Sequence, residues 1–124
     1  MAVQKIVYLY VGTDDVDADL RFLVEGLGGE LAWRFHEFGA DVAGVRMGDG
    51  PMYIAADHRP AGSVLPIIAV DDLEAAAAGL KSAGFTDTGT TVEVPDGPCM
   101  VLTAPAGNEL GLLRQSRPGA LEHH

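Results

Sequence analysis

The sequence predicts an α+β fold of two tandem βαβββ modules, and three observations predict it. Short runs of β-branched and aromatic residues alternate with Gly- and Pro-containing breaks, two longer segments carry apolar residues at helical spacing, and the order of these elements repeats. Aligning YLYVGTDD with IIAVDDLE sets a period of about 58 residues, which rests on element order and not on residue identity. Two units of this size must share a core. A single domain over residues 1–117 is therefore expected, with module 1 at about 4–57, module 2 at about 64–115, and a tail over 118–124.

The first module opens with KIVYLYV (5–11), too short for a helix and rich in strand formers. GTDDVDADLRFLVEGLGG (12–29) follows as a helix. Val16, Leu20, Leu23, Val24 and Leu27 recur at helical spacing, aspartates crowd the first turn where the macrodipole favours them, and Gly28–Gly29 supply a stop. ELAWRFHEF (30–38), ADVAGVRM (40–47) and PMYIAAD (51–57) then read as three strands, broken at Gly39 and at the Gly-Asp-Gly of 48–50, which suits a hairpin.

HRPAGS (58–63) is a loop, after which the pattern restarts. VLPIIAV (64–70) is a strand. DDLEAAAAGLKSAG (71–84) is an alanine-rich helix with an Asp cap and a terminal Gly84, despite Gly79 inside it. TTVEVP (90–95), PCMVLTA (98–104) and NELGLLR (108–114) complete the second module as strands.

Composition excludes several function classes. The formal net charge of −10 opposes a phosphate-backbone partner, which needs clustered Lys and Arg, so no nucleic acid is expected. No run of about 18 apolar residues offers a membrane span, and the N-terminus has no secretory leader pattern. One cysteine, Cys99, excludes an intramolecular disulfide and fits a cytoplasmic setting. The terminal LEHH resembles the start of a polyhistidine tag, which leaves His36 and His58 as the informative histidines.

LYVGTDDVDADLRFLVEGLGGEL near the start, IIAVDDLEAAAAGLKSAGF in the middle and APAGNELGLL near the end resemble, in order and spacing, the vicinal oxygen chelate superfamily. Its members include glyoxalase, bleomycin-resistance proteins and extradiol dioxygenases. The resemblance covers roughly residues 4–115 and implies a curled mixed sheet around a cleft, the glyoxalase/bleomycin-resistance fold, and a homodimer. Metal-dependent members take one ligand from the first and the last strand of each module. Here those positions align with Ile6, Ala55, Leu65 and Gly111, the last three residues after Asn108. Shifting each by one residue finds no plausible donor either. Divalent cations need imidazole or carboxylate ligands, so the resemblance is to a metal-free branch with no cofactor.

Other constellations are weaker. Asp14, Asp15, Asp17 and Asp19 lack the glycine and glutamate of a calcium loop and read as helix capping. Arg34 and His36, two apart on a strand, share a face. His58 begins the loop between modules, which in the resembling fold lies near the cleft mouth. Cys99 has no basic neighbour and reads as an inert buried thiol.

Strand alternation supplies a candidate ligand-binding set. On the first strand the aliphatic face of Val7, Leu9 and Val11 is expected to meet the helix, which turns Tyr8 and Tyr10 toward the concavity. Tyr53 is expected beside Ala55 on the same side, joined by Leu65, Ile67 and Ala69, with Met100 and Leu102 lining the seventh strand and Gly111 leaving space. Trp33 and Phe35 share a face that the pattern does not assign.

Aromatic walls over an apolar floor suit a small, flat, partly apolar organic molecule. The leading expectation is sequestration of such a ligand, resembling antibiotic-resistance proteins. The alternative is a cofactor-independent lyase or isomerase using Tyr8, Tyr10 or His36 as acid or base. A structural or regulatory partner without a small-molecule site is the third class.

Overall fold

The computed structural model describes residues 5–37, 39–95 and 97–114. The expected tail, and Phe38 at the end of the second expected strand, lie outside them. The chain divides into two compact units, Tyr8–Leu65 and the described parts of Met1–Val7 with Pro66–His124. β1 (Lys5–Gly12) and β5 (Val64–Val70) each run across that division.

In the first unit β1 leads into α1 (Val16–Leu20), whose N-cap Asp15 accepts from the Ala18 N–H at 3.1 Å. This is the capping expected of the aspartate cluster. The α-helix is shorter than the 12–29 expected, because residues Arg21–Gly26 wind on as a π-helix that ends with the Leu27 N–H donating to the Phe22 carbonyl at 3.0 Å. Gly28 then turns the chain at φ +80°. Gly29 sits so close to β3 that a Cβ there would meet Val45 Cγ1 and Met47 Sδ at 2.8 Å.

β2 (Glu30–Glu37), β3 (Ala40–Arg46) and β4 (Met52–Ala56) follow, in the spatial order β2-β3-β4-β1. β2–β3 and β3–β4 are antiparallel and β4–β1 is parallel. That arrangement is one βαβββ module.

The second unit repeats it as β5, α2 (Leu73–Ser82), β6 (Thr86–Val94), β7 (Gly97–Thr103) and β8 (Glu109–Arg114), in the order β5-β8-β7-β6. Asp72 caps α2 as Asp15 caps α1, accepting from the Ala75 N–H at 3.0 Å. β6 begins four residues before the expected strand, through a polar Thr-rich stretch in which local alternation gives no apolar signal and pairing with β7 decides. Under α2, Val70, Ala77, Leu102 and Leu112 form a buried cluster with Ile68, Leu73, Leu80, Phe85 and Met100 packed on it. The parallel registers of the two units correspond, Tyr8 with Met52 in one and Ile67 with Gly111 in the other.

Candidate functional site

Residues paired across neighbouring strands project to the same side of a sheet, so the register sorts the expected site residues. Trp33 pairs with Gly44, Gly44 with Ile54, and Ile54 with Tyr10. Phe35, Val42, Ala56 and Gly12 form the next row, and Tyr8 with Met52 a third. Arg34 projects to the opposite side, where its guanidinium meets Asp17 of α1 at 2.9 Å. Trp33 and Phe35 therefore share the face of Tyr8 and Tyr10, turned away from α1, which the sequence pattern left open.

Two expectations are corrected. Tyr53 pairs with Leu9 and Val45, one residue out of phase with Ile54, and so lies on the helix side with Ala55. Burial there, with Asp19 of α1 as a second cause, holds the Tyr53 phenol above its ordinary pKa. Met100 and Leu102 belong to the core beneath α2, while Val101 pairs with Gly111 on the face of Ile67. The reason is common to both: MYIAA and CMVL are apolar at every position, so alternation within them has no sign and only pairing fixes the side.

Exposure narrows the site further. Tyr8, Tyr10, Leu65 and Ile67 are fully buried, so they do not wall an accessible surface, whereas Phe35 is 53% exposed and Trp33 partly so. The Trp33 and Phe35 rings stand 5.2 Å apart at 34°. The Trp33 indole packs against Gly44, where a Cβ would meet its Cζ2 at 2.6 Å, and its buried Nε1 has no hydrogen-bond partner among the described residues.

On the same face of this unit, three strands away from Trp33, the Tyr10 hydroxyl and His58 Nε2 are 3.1 Å apart, with the rings edge-on at 71°. Tyr10 is 2% exposed and His58 is exposed. The loop carrying His58 is seated on β1. The Gly12 N–H donates to the Ser63 carbonyl at 2.9 Å, and a Cβ on Gly12 would collide with the Pro60 carbonyl. Sequence reasoning placed His58 near the mouth but did not pair it with Tyr10, because the contact spans 48 residues and depends on how the loop folds back.

The Arg34–His36 pair is taken up by structure. Arg34 grips Asp41 through Nε–Oδ1 at 3.0 Å and Nη2–Oδ2 at 2.7 Å, and His36 Nδ1 is 3.6 Å from the same carboxylate. The Arg34 hydrogen bonds hold Asp41 below the usual carboxylate range, against the opposing effect of its burial. His36 is thus on the helix side, opposite Tyr8 and Tyr10, so those acid–base candidates do not converge.

The four family ligand positions do not fit a divalent cation. Ile6 and Leu65 are hydrocarbon, Ala55 faces the helix, and its place in the register opposite Tyr8 is taken by Met52, which offers only a thioether. At Gly111 there is no side chain to donate, and a Cβ would meet Ile67 Cγ1 at 3.0 Å, close enough that Ile67 would have to give way to any larger residue. Among the described residues, no three His, Cys, Asp or Glu side chains form a metal-holding group. An open groove of roughly 300 Å³ lies on the helix side, lined by Asp17, Leu20, Arg21, Val24, Glu25 and Leu31, none of them an expected site residue.

The family model for the Glyoxalase/Bleomycin resistance protein/Dioxygenase superfamily matches residues 5–112. No curated protein matches the sequence significantly. Among solved structures, the hypothetical protein BH1468 of Bacillus halodurans C-125 is similar with a TM-score of 0.73 at 13% identity, covering 94% of this chain and 97% of that one. Methylmalonyl-CoA epimerase from Mycobacterium tuberculosis gives 0.71 at 14%, covering 93% and 90%. A glyoxalase/bleomycin resistance protein/dioxygenase superfamily member from Vibrio splendidus 12B01 gives 0.67 at 15%, covering 91% and 100%. These likenesses show the fold. Among the described residues, no helix is long and apolar enough to cross a membrane.

Proposed function

Because this chain belongs to the Glyoxalase/Bleomycin resistance protein/Dioxygenase superfamily, we propose that it binds a small, flat, partly apolar organic molecule on the face of the Tyr8–Leu65 unit turned away from α1, without a metal ion. One observation carries the reading. Phe35 and Trp33 form an aromatic pair on that face, Phe35 half-exposed and Trp33 partly so, seated over Gly44, where any larger residue would displace the indole. Aromatic faces bind flat molecules by stacking and need no titrating group. The lack of an imidazole or carboxylate at the family ligand positions, Ile6, Leu65, Gly111 and either Ala55 or Met52, supports independence from metal.

Trp33 is the single tryptophan, so its fluorescence reports occupancy of this surface directly. Titration with flat heteroaromatic compounds in the presence of a chelator is expected to quench it saturably. Phe35→Ala is expected to weaken binding by roughly tenfold through loss of one stacking partner. A panel that leaves Trp33 unquenched, or equal affinity in Phe35→Ala, contradicts the reading.

A further inference from the structure

We infer that a second copy of this chain docks on the helix-side groove, in a two-fold dimer in which Arg21 of each protomer meets Glu25 of the other. The dimer uses the side of the Tyr8–Leu65 unit opposite the aromatic face, so each protomer keeps Trp33 and Phe35 free.

Exposure marks the surface. Three large apolar side chains open to solvent, Phe22 at 47%, Leu27 at 67% and Leu31 at 49%, fall within ten residues on the π-helix, the residue after it and the start of β2. β2 is the end strand of its sheet, so no further strand stands beyond Leu31. The second unit supplies the comparison. The exposed positions of α2 are Glu74, Ala75, Ala78, Gly79, Lys81 and Ser82, with no large apolar side chain among them. A helix that only covers a sheet needs none, whereas clustered apolar exposure marks an interaction surface.

Charge then chooses the occupant. Leu20 and Val24 are half-buried in the groove, and Arg21 and Glu25 are exposed beside them. Asp17 is already held by Arg34 at 2.9 Å, but Arg21 and Glu25 form no ion pair among the described residues. They are opposite in sign, four residues apart, and line one groove. An isologous interface brings residue i to residue j and j to i. Two antiparallel copies of this element, related by an axis facing the midpoint of 21 and 25, therefore set Arg21 against Glu25 twice and bring Phe22 level with the partner's Val24. Each chain carries a formal net charge of −10, which opposes self-association unless the local charges are complementary. This register makes them so.

Sedimentation equilibrium of the whole chain is the test. At about 0.15 M salt, where long-range repulsion is screened, the expected species is a dimer that dissociates in the micromolar range. Arg21→Glu and Glu25→Arg, each alone, set like charges against each other twice and should weaken it by roughly tenfold or more. Mixing these two variants restores opposite charges at both contacts, so a heterodimer should form within about threefold of the parent affinity. Both residues are exposed and unpaired within their own chain, so a purely structural role gives no such rescue. Leu31→Ser should weaken every pairing alike. A monomer at about 100 μM chain, a dimer indifferent to both charge reversals, or failure of the mixed variants to pair overturns the inference.

Discussion

Gly12 shows how one missing side chain shapes the site. Its backbone touches the Pro60 carbonyl, and a Cβ would also lie 2.7 Å from Ser63 Oγ, so the loop bearing His58 closes only over glycine. Gly12→Ala is expected to destabilise the protein by about 1–3 kcal/mol, the usual cost of overpacking, read from urea unfolding. The same substitution should displace His58 from Tyr10. An Ala variant as stable as the parent would mean that the loop shifts freely and that His58 is not held. Gly44 plays a parallel part beneath Trp33, where contact is with a ring and not with backbone.

Among the elements, α1, β2 and β3 are tied by one ionic cluster in which Arg34 bridges Asp17 and Asp41. Asp41 ionises more readily in the folded chain than in the unfolded one because Arg34 hydrogen-bonds its carboxylate. Its contribution to stability is therefore fully present above the unfolded carboxylate range and is lost as pH falls through that range toward the folded value. Urea unfolding at stepped pH should show a steeper acid loss in the parent than in Asp41→Asn, with the difference confined below about pH 5. Parallel acid limbs would remove Asp41 from the linkage.

Element order was legible in the sequence because each helix has its own signals, Asp15 or Asp72 at the start and Gly28 or Gly84 at the end. The sides of Tyr53 and Met100 were not, because a strand buried on both faces is apolar throughout and hides its phase. Tyr8 and Tyr10 were placed on the correct face but expected to be open, and burial depends on contacts that no local pattern carries. The Tyr10–His58 contact, like the Arg34–Asp41 grip, joins separate strands or loops and emerges only with the register.

Across the whole molecule, two units with corresponding registers have diverged in chemistry. The unit Tyr8–Leu65 presents Trp33 and Phe35 on its face away from α1, whereas Ile67, Val101 and Gly111 make the matching face of the other unit small and aliphatic. The ligand positions of a metal-dependent relative are occupied in neither unit by a nitrogen or carboxylate donor. The role proposed for the chain is therefore binding of a small organic molecule without a metal ion.

The most direct test of that proposal is the thermal unfolding midpoint of the protein, measured with divalent nickel, zinc, iron or manganese and separately with flat aromatic ligands. A molecule that binds only the native state must raise the midpoint. An aromatic ligand is expected to raise it in the presence of chelator, and the metals are expected not to. Stabilisation by one of those metals, reversed by chelator, together with no effect of any aromatic ligand, would contradict it.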